Sequence, residues 1–126
     1  MKAQRYGRIV NIASHAMLGK VGRSSYSAAK ASLVALTRTW ALELAPYQIS
    51  VNAVAPGPIQ TESFVQKYPA GSEEEQRLIK GLPLKRLGLP DEMAYAIGFF
   101  LNEQAGFITD QTLFADGGGS IGVSLV

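Results

Sequence analysis

The sequence predicts an α/β layered fold built on parallel strands. Three observations carry that expectation: two short β-branched runs, "GRIVNIAS" (Gly7 to Ser14) and "ISVNAVAPG" (Ile49 to Gly57), a long run of helix formers between them, and a second strand–helix alternation further on. A helix that joins two strands of one sheet brings the chain back by a right-handed crossover, which leaves the strands parallel. With 126 residues, 47% of them hydrophobic, the chain is one domain in size and has the material for a core.

The elements follow in order. The first run is short, β-branched and apolar on both faces, as suits a strand covered by helices above and below. "HAMLGKVGR" carries two glycines and reads as a loop. "SYSAAKASLVALTRTWALELA" predicts a helix from Ser25 to Ala45, about 30 Å long, with Pro46 just beyond its end. Within it Tyr26, Ala29, Lys30 and Leu33 share a face turned to the sheet and the site, and Val34, Thr37, Trp40 and Ala41 continue round it. Trp40 packs on the sheet or on a partner helix. The second strand closes at Pro56-Gly57. Ser72 and Glu75 form a capping box, so the acidic run at 73–75 reads as a helix N-terminus rather than a binding patch. Pro90-Asp91-Glu92 opens another helix, with Met93, Ala96, Ile97, Phe100 and Leu101 inward. "QTLFADGGG" is the last strand and its glycine-rich turn. The order is β-α-β, an irregular lid region over about 58–89, then α-β, with about three parallel strands in all.

Composition removes several classes of function. The net charge is +2 and the cations are dispersed: Arg5 and Arg8, Lys20 and Arg23, Lys85 and Arg86 fall in separate segments. No aromatic interleaving marks a nucleic-acid surface. There are no cysteines, which removes disulfides and thiolate metal sites and fits a reducing compartment. No metal site is expected. The start lacks the apolar core of a signal peptide, and no apolar run reaches the roughly 18 residues of a membrane span. A soluble, cytoplasmic protein is expected, with neither nucleic acid nor membrane as partner.

Chemistry gathers at "SSYSAAK". On a helix, residues four apart share a face, so Tyr26 and Lys30 are neighbours. A free phenol is a poor proton carrier near neutral pH, and an adjacent ammonium favours its phenolate. The small residues Ser27, Ala28 and Ala29 leave room for a substrate. Ser14 ends the first strand, and Pro56-Gly57 ends the second on the same edge, where open α/β sheets bind ligands.

"GRIVNIAS", "YSAAK", "ISVNAVAPGPIQTE" and "ADGG", in that order, resemble the C-terminal half of a short-chain dehydrogenase/reductase, and more closely its 3-oxoacyl-reductase-like members. The resemblance runs from Gly7 to Gly118. It implies the C-terminal part of a Rossmann-type doubly wound parallel sheet over residues 1–126. It also implies a nicotinamide-dependent oxidoreductase, using NAD or NADP, that interconverts a small alcohol and its carbonyl. Carried over, Tyr26 is the general acid/base, Lys30 holds the nicotinamide ribose and tunes the phenol, and Ser14 orients the substrate oxygen. Pro56, Gly57, Ile59 and Thr61 would meet the nicotinamide carboxamide, so the cofactor set is Tyr26, Lys30, Pro56, Gly57, Ile59 and Thr61. Ser14, His15 and Phe64 are the candidate substrate contacts, although His15 reads first as a solvated loop histidine. Phe64 and Tyr68 fall where the family has its substrate lid. The family also implies a homodimer or tetramer through the helix 25–45.

The chain departs from the family pattern in three places. The Ser14–Tyr26 interval is one residue shorter than usual. Ile108-Thr109-Asp110-Gln111 carries aspartate where glycine is usual, and aspartate tolerates a left-handed turn. The family's first half, with its glycine-rich phosphate turn, has no counterpart, so an edge of the sheet is expected to be open and this chain alone to be inactive. Two alternatives stand beside the reductase: an epimerase or dehydratase of the same family, and a non-catalytic relic that only oligomerises.

Overall fold

A computed structural model describes residues 1–122 of the chain. Strand β1 (Gly7–Ile12) leads through a short 3-10 turn to helix α1 (Ser24–Leu44), and strand β2 (Ile49–Pro56) returns. Helices α2 (Glu62–Lys67) and α3 (Glu73–Gly81) follow, then α4 (Pro90–Leu101) and strand β3 (Thr112–Ala115). The sheet has the order β1-β2-β3 with both pairings parallel, registered Gly7↔Ile49 to Ile12↔Val54 and Ala53↔Thr112 to Pro56↔Ala115. The expected α/β fold with three parallel strands is therefore present.

β2 is the centre of the molecule: Ile49 to Ala55 are all buried. Alternate residues of a strand face opposite sides, and the two sides here carry separate cores. Ile49 and Val51 pack with Ala41 and Trp40 of α1. Val54 packs with Ala96 and Phe100 of α4. α1 and α4 thus cover opposite faces, as a layered crossover fold requires.

Most polar side chains in this core are paired; the Ser50 hydroxyl of β2 is the buried exception among its strand's residues. Asn11 of β1 donates to Thr37 Oγ1 of α1 at 2.9 Å, and Thr37 donates to the Leu33 carbonyl at 2.7 Å. Fully buried Asn52 donates to the Ile108 carbonyl at 2.9 Å and accepts from the Gln111 amide at 3.0 Å, fixing the approach to β3. Asp110 adopts the left-handed conformation, φ 58°, and its carboxylate accepts from Arg38 at 3.1 Å.

The α3 capping box is present, with one change of partner. Ser72 Oγ accepts from the Glu75 amide at 3.3 Å, but the Glu75 carboxylate reaches back to the Gly71 amide, at 2.6 Å, instead of that of Ser72. β1 has helices on both faces as expected, Ile9 packing with the α1 core and Val10 with the α4 core, but among the described residues it pairs only with β2, so Ile9 and Val10 are half-buried and Ile12 is exposed. Two expectations need correcting. Ala29 is exposed, since α1 turns Thr37 and Ala41 to the sheet and its N-terminal turns overhang the strand ends. Leu101 is exposed because α4 ends there, beyond the reach of β2.

Candidate active site

The site is assembled where β1 and β2 end. Parallel strands run out at one edge of the sheet, and the chain must turn there before each helix, so side chains from separate segments meet. A cleft of about 340 Å³ opens at this edge. Ser14, His15, Tyr26, Gly57, Ile59, Thr61, Phe64 and Tyr68 line it, eight residues singled out by the sequence.

Ser14 is buried and caps the 3-10 turn that follows β1, its Oγ accepting from the Ala16 amide at 3.1 Å. That bond uses a lone pair and leaves the hydroxyl proton free to donate. Tyr26 lies in the first turn of α1, where 44% of it is exposed, so its phenol is open to a ligand. Two cations flank its ring: the Arg23 guanidinium and the Lys30 ammonium, each 5.9 Å from the centroid. Lys30 is outside the cleft wall. Its Nζ donates to the Ile12 carbonyl at 2.9 Å, which ties α1 to the end of β1 and leaves two ammonium protons uncommitted by that bond.

The third wall begins at Pro56-Gly57. Pro56 ends β2 paired with Ala115 and does not itself line the cleft. Gly57 follows because nothing larger fits: a Cβ there would sit 2.6 Å from Asp116 Cβ. Thr61 caps α2, its Oγ1 accepting from the Phe64 amide at 3.2 Å, and so turns Phe64 towards the opening. Phe64 and Tyr68 stand one turn apart with ring centroids at 4.9 Å. The segment 58–89 is tied at its base, where the Gln60 amide donates to the Gly88 carbonyl at 2.8 Å and the Gly88 amide to the Pro58 carbonyl at 3.0 Å. Beyond the tie a second cleft, about 320 Å³, runs between this segment and β3, lined by Leu82, Leu84 and Phe114.

His15 is drawn further in than a solvated loop histidine. It is half-buried in the cleft wall, and burial first, then the Lys20 ammonium, push its imidazole below 6.5, with Asp116 opposing them. The glycine-rich turn after β3 is already occupied. Asp116 accepts from the Gly118 amide at 3.0 Å and the Ser120 amide at 2.7 Å, so a carboxylate fills the place an anion would take. Among the described residues the strand-end set has the polar and apolar groups that would suit the nicotinamide end of a dinucleotide, while the glycine-rich turn holds its own carboxylate in place of a pyrophosphate. Sequence reading missed Lys20, Arg23, Ser63, Lys67 and Leu78 in the cleft wall. Only Leu78 carried a signal, since it and Ile79 are the apolar pair of a mostly charged helix.

Comparison with known proteins agrees with this fold. The family model described as Enoyl-(Acyl carrier protein) reductase matches residues 1–120. The acetoacetyl-CoA reductase of Shinella zoogloeoides is 44% identical over 119 residues, covering 94% of this chain and 48% of that protein. A 3-oxoacyl-(acyl-carrier-protein) reductase of Thermotoga maritima is 40% identical over 119 residues, covering 94% and 47%. A solved structure described as a short chain dehydrogenase/reductase family protein superposes with a TM-score of 0.86 at 40% identity, covering 96% of this chain and 48% of that one. An oxidoreductase fold with a strand-end site is the class these features define. The chain belongs to the short-chain dehydrogenase/reductase family, and it spans about half the length of the curated relatives it matches.

Proposed function

We propose that this chain is the catalytic half of a nicotinamide-dependent oxidoreductase that interconverts a carbonyl and an alcohol, with Tyr26 as the acid–base group. One observation carries the proposal: Ser14, Tyr26 and the set Gly57, Ile59 and Thr61, from three separate segments, line one cleft at the strand ends while Lys30 is pinned beside them. The relatives named as 3-oxoacyl and acetoacetyl-CoA reductases point to a 3-oxoacyl thioester as substrate.

A bound NAD(P)H would supply hydride to the carbonyl carbon. The chain's own residues do the rest. Ser14 donates its free hydroxyl proton to the substrate oxygen and fixes its position. Tyr26 donates the proton that the oxygen needs as it becomes an alcohol, and takes it back in the oxidative direction. Lys30 places positive charge beside the phenolate left behind, and its two remaining N–H groups suit the hydroxyls of the nicotinamide ribose. Gly57, Ile59 and Thr61 border the place of the nicotinamide carboxamide. Pro56 shapes that edge from behind. Phe64 and Tyr68 cover the apolar part of the substrate and exclude water.

On this reading the isolated chain neither holds a dinucleotide nor turns over, because Asp116 occupies its one glycine-rich turn. It works as part of a dimer or tetramer formed through α1, in a reducing, cytoplasmic setting that suits a chain without cysteine. The test is the full-length protein that carries this chain, assayed for NADH or NADPH oxidation with acetoacetyl-CoA. Oxidation that depends on the thioester supports the proposal. A folded protein that oxidises neither coenzyme with any 3-oxoacyl thioester counts against it.

A further inference from the structure

The cations of this chain are dispersed in sequence, and folding gathers three of them. Lys20 and Arg23 come from the loop before α1, Lys67 comes from the last turn of α2, and all three line the candidate cleft. No carboxylate lines that cleft among the described residues, although the whole chain holds 10 acids against 12 cations. None of the three forms a salt bridge among the described residues. Arg23 and Lys67 instead lie near the rings of Tyr26 and Tyr68, at 5.9 and 5.3 Å from the centroids. Lys20 already acts on the cleft, since its charge helps to lower the His15 pKa. Asp116, the acid that acts on His15, is buried and committed to its turn amides, and Glu62, between the cleft residues Thr61 and Ser63, does not itself line the cleft.

We infer that the substrate of this site carries an anionic group, a carboxylate or a phosphate, which Lys20, Arg23 and Lys67 hold at the mouth of the cleft. This rests on the reductase reading and adds the charge of the substrate to it. A concave wall with cations on two sides concentrates positive potential and draws in anions. Arg23 can grip a carboxylate or phosphate through two N–H groups, and the lysines add point charge. The layout then fits a molecule with its carbonyl at Ser14 and Tyr26, an apolar stretch against Phe64 and Tyr68, and its charge at the rim.

The experiment is an NMR titration of the isotope-labelled 126-residue chain. The probes are acetoacetate and dihydroxyacetone phosphate, with their neutral counterparts methyl acetoacetate and dihydroxyacetone. The anions should shift the amides of 14–23 and 61–68 and bind about tenfold more tightly than the neutral probes, the scale of one or two partly screened ion pairs. The tighter of the two anions identifies the group. The variant Lys20→Gln/Arg23→Gln/Lys67→Gln should lose that preference while its β2 amides stay in place, and Lys67→Gln alone should lose part of it. Equal binding of neutral probes, or a preference that survives in the triple variant, overturns the inference yet leaves a carbonyl cleft standing. The absence of any shift in the cleft with either carbonyl anion also overturns it. Failure of the reductase reading is read separately, from the turnover of Tyr26 variants.

Discussion

Lys30 reaches from the second turn of α1 to the end of β1, where its ammonium donates to the Ile12 carbonyl at 2.9 Å. The same ammonium lies 5.9 Å from the centre of the Tyr26 ring. One side chain thus fixes the helix to the strand end and sets the charge beside the phenol. Lys30→Met should cost only about 1 kcal/mol of stability, the usual net worth of one hydrogen bond. In the full-length protein it should raise the KM for the nicotinamide coenzyme and lower kcat together. Denaturant melts and steady-state kinetics check this, and an unchanged coenzyme KM would remove Lys30 from the ribose.

His15 is the only histidine, so its titration can be followed without overlap. Its midpoint should lie below 6.5, because burial and Lys20 disfavour the imidazolium. A lowered folded value means that protonation favours the unfolded chain, so this group withdraws stability as pH falls below the unfolded value. Lys20→Gln should move the midpoint up and Asp116→Asn should move it further down. Proton NMR of the imidazole reads both. A midpoint that ignores Lys20 would place that lysine away from the cleft.

Much of this was legible in the sequence, and the pattern of what was not has a physical cause. β2 and α1 announce themselves by local composition, and Ser14, Tyr26 and Gly57 by their place at element ends. The exposure of β1 depends on neighbours that no residue of β1 encodes. The cationic wall was invisible because Lys20 and Lys67 are distant in sequence and meet only through the β1–α1 loop and α2. The depth of His15 follows from the tight turn that Ser14 caps, a bond that spacing alone does not show.

Arg86 and Glu92 make a two-point ion pair, at 2.8 and 2.6 Å, at the start of α4, and Glu92 also accepts from the Leu89 amide at 2.8 Å. The Arg86 hydrogen bonds hold the Glu92 carboxyl down to about 2, helped by the Leu89 amide. A depressed folded value gives stability that is present above the unfolded value and lost as pH falls towards the folded one. Glu92→Gln should therefore melt lower than the parent at neutral pH, and the gap should close between about 4.5 and about 2. Thermal melts across that range test it; a gap that persists at the acid end would contradict the pairing.

α1 buries Thr37 and Ala41 and leaves Ala28, Ala31, Ala35 and Leu42 exposed along its length. Self-association through this helix should appear as dimers or larger species in light scattering. Ala35→Arg/Leu42→Arg should give monomers with stability changed by about 0.5 kcal/mol or less per site, as for open surface positions. A monodisperse monomer in the unaltered chain would set the α1 interface aside.

The central claim is that Tyr26 moves the proton. The most direct measurement compares kcat for Tyr26→Phe with that of the unaltered full-length protein, using Tyr47→Phe, which packs on the Ala41–Ile49–Val51 cluster, as the control. Removing one hydroxyl leaves the ring and its packing, so only proton transfer should suffer. The account predicts a loss of about 10²-fold or more for Tyr26→Phe, the usual contribution of a general acid–base group, and near-normal turnover for Tyr47→Phe. Near-normal turnover of a folded Tyr26→Phe protein at neutral pH would contradict it.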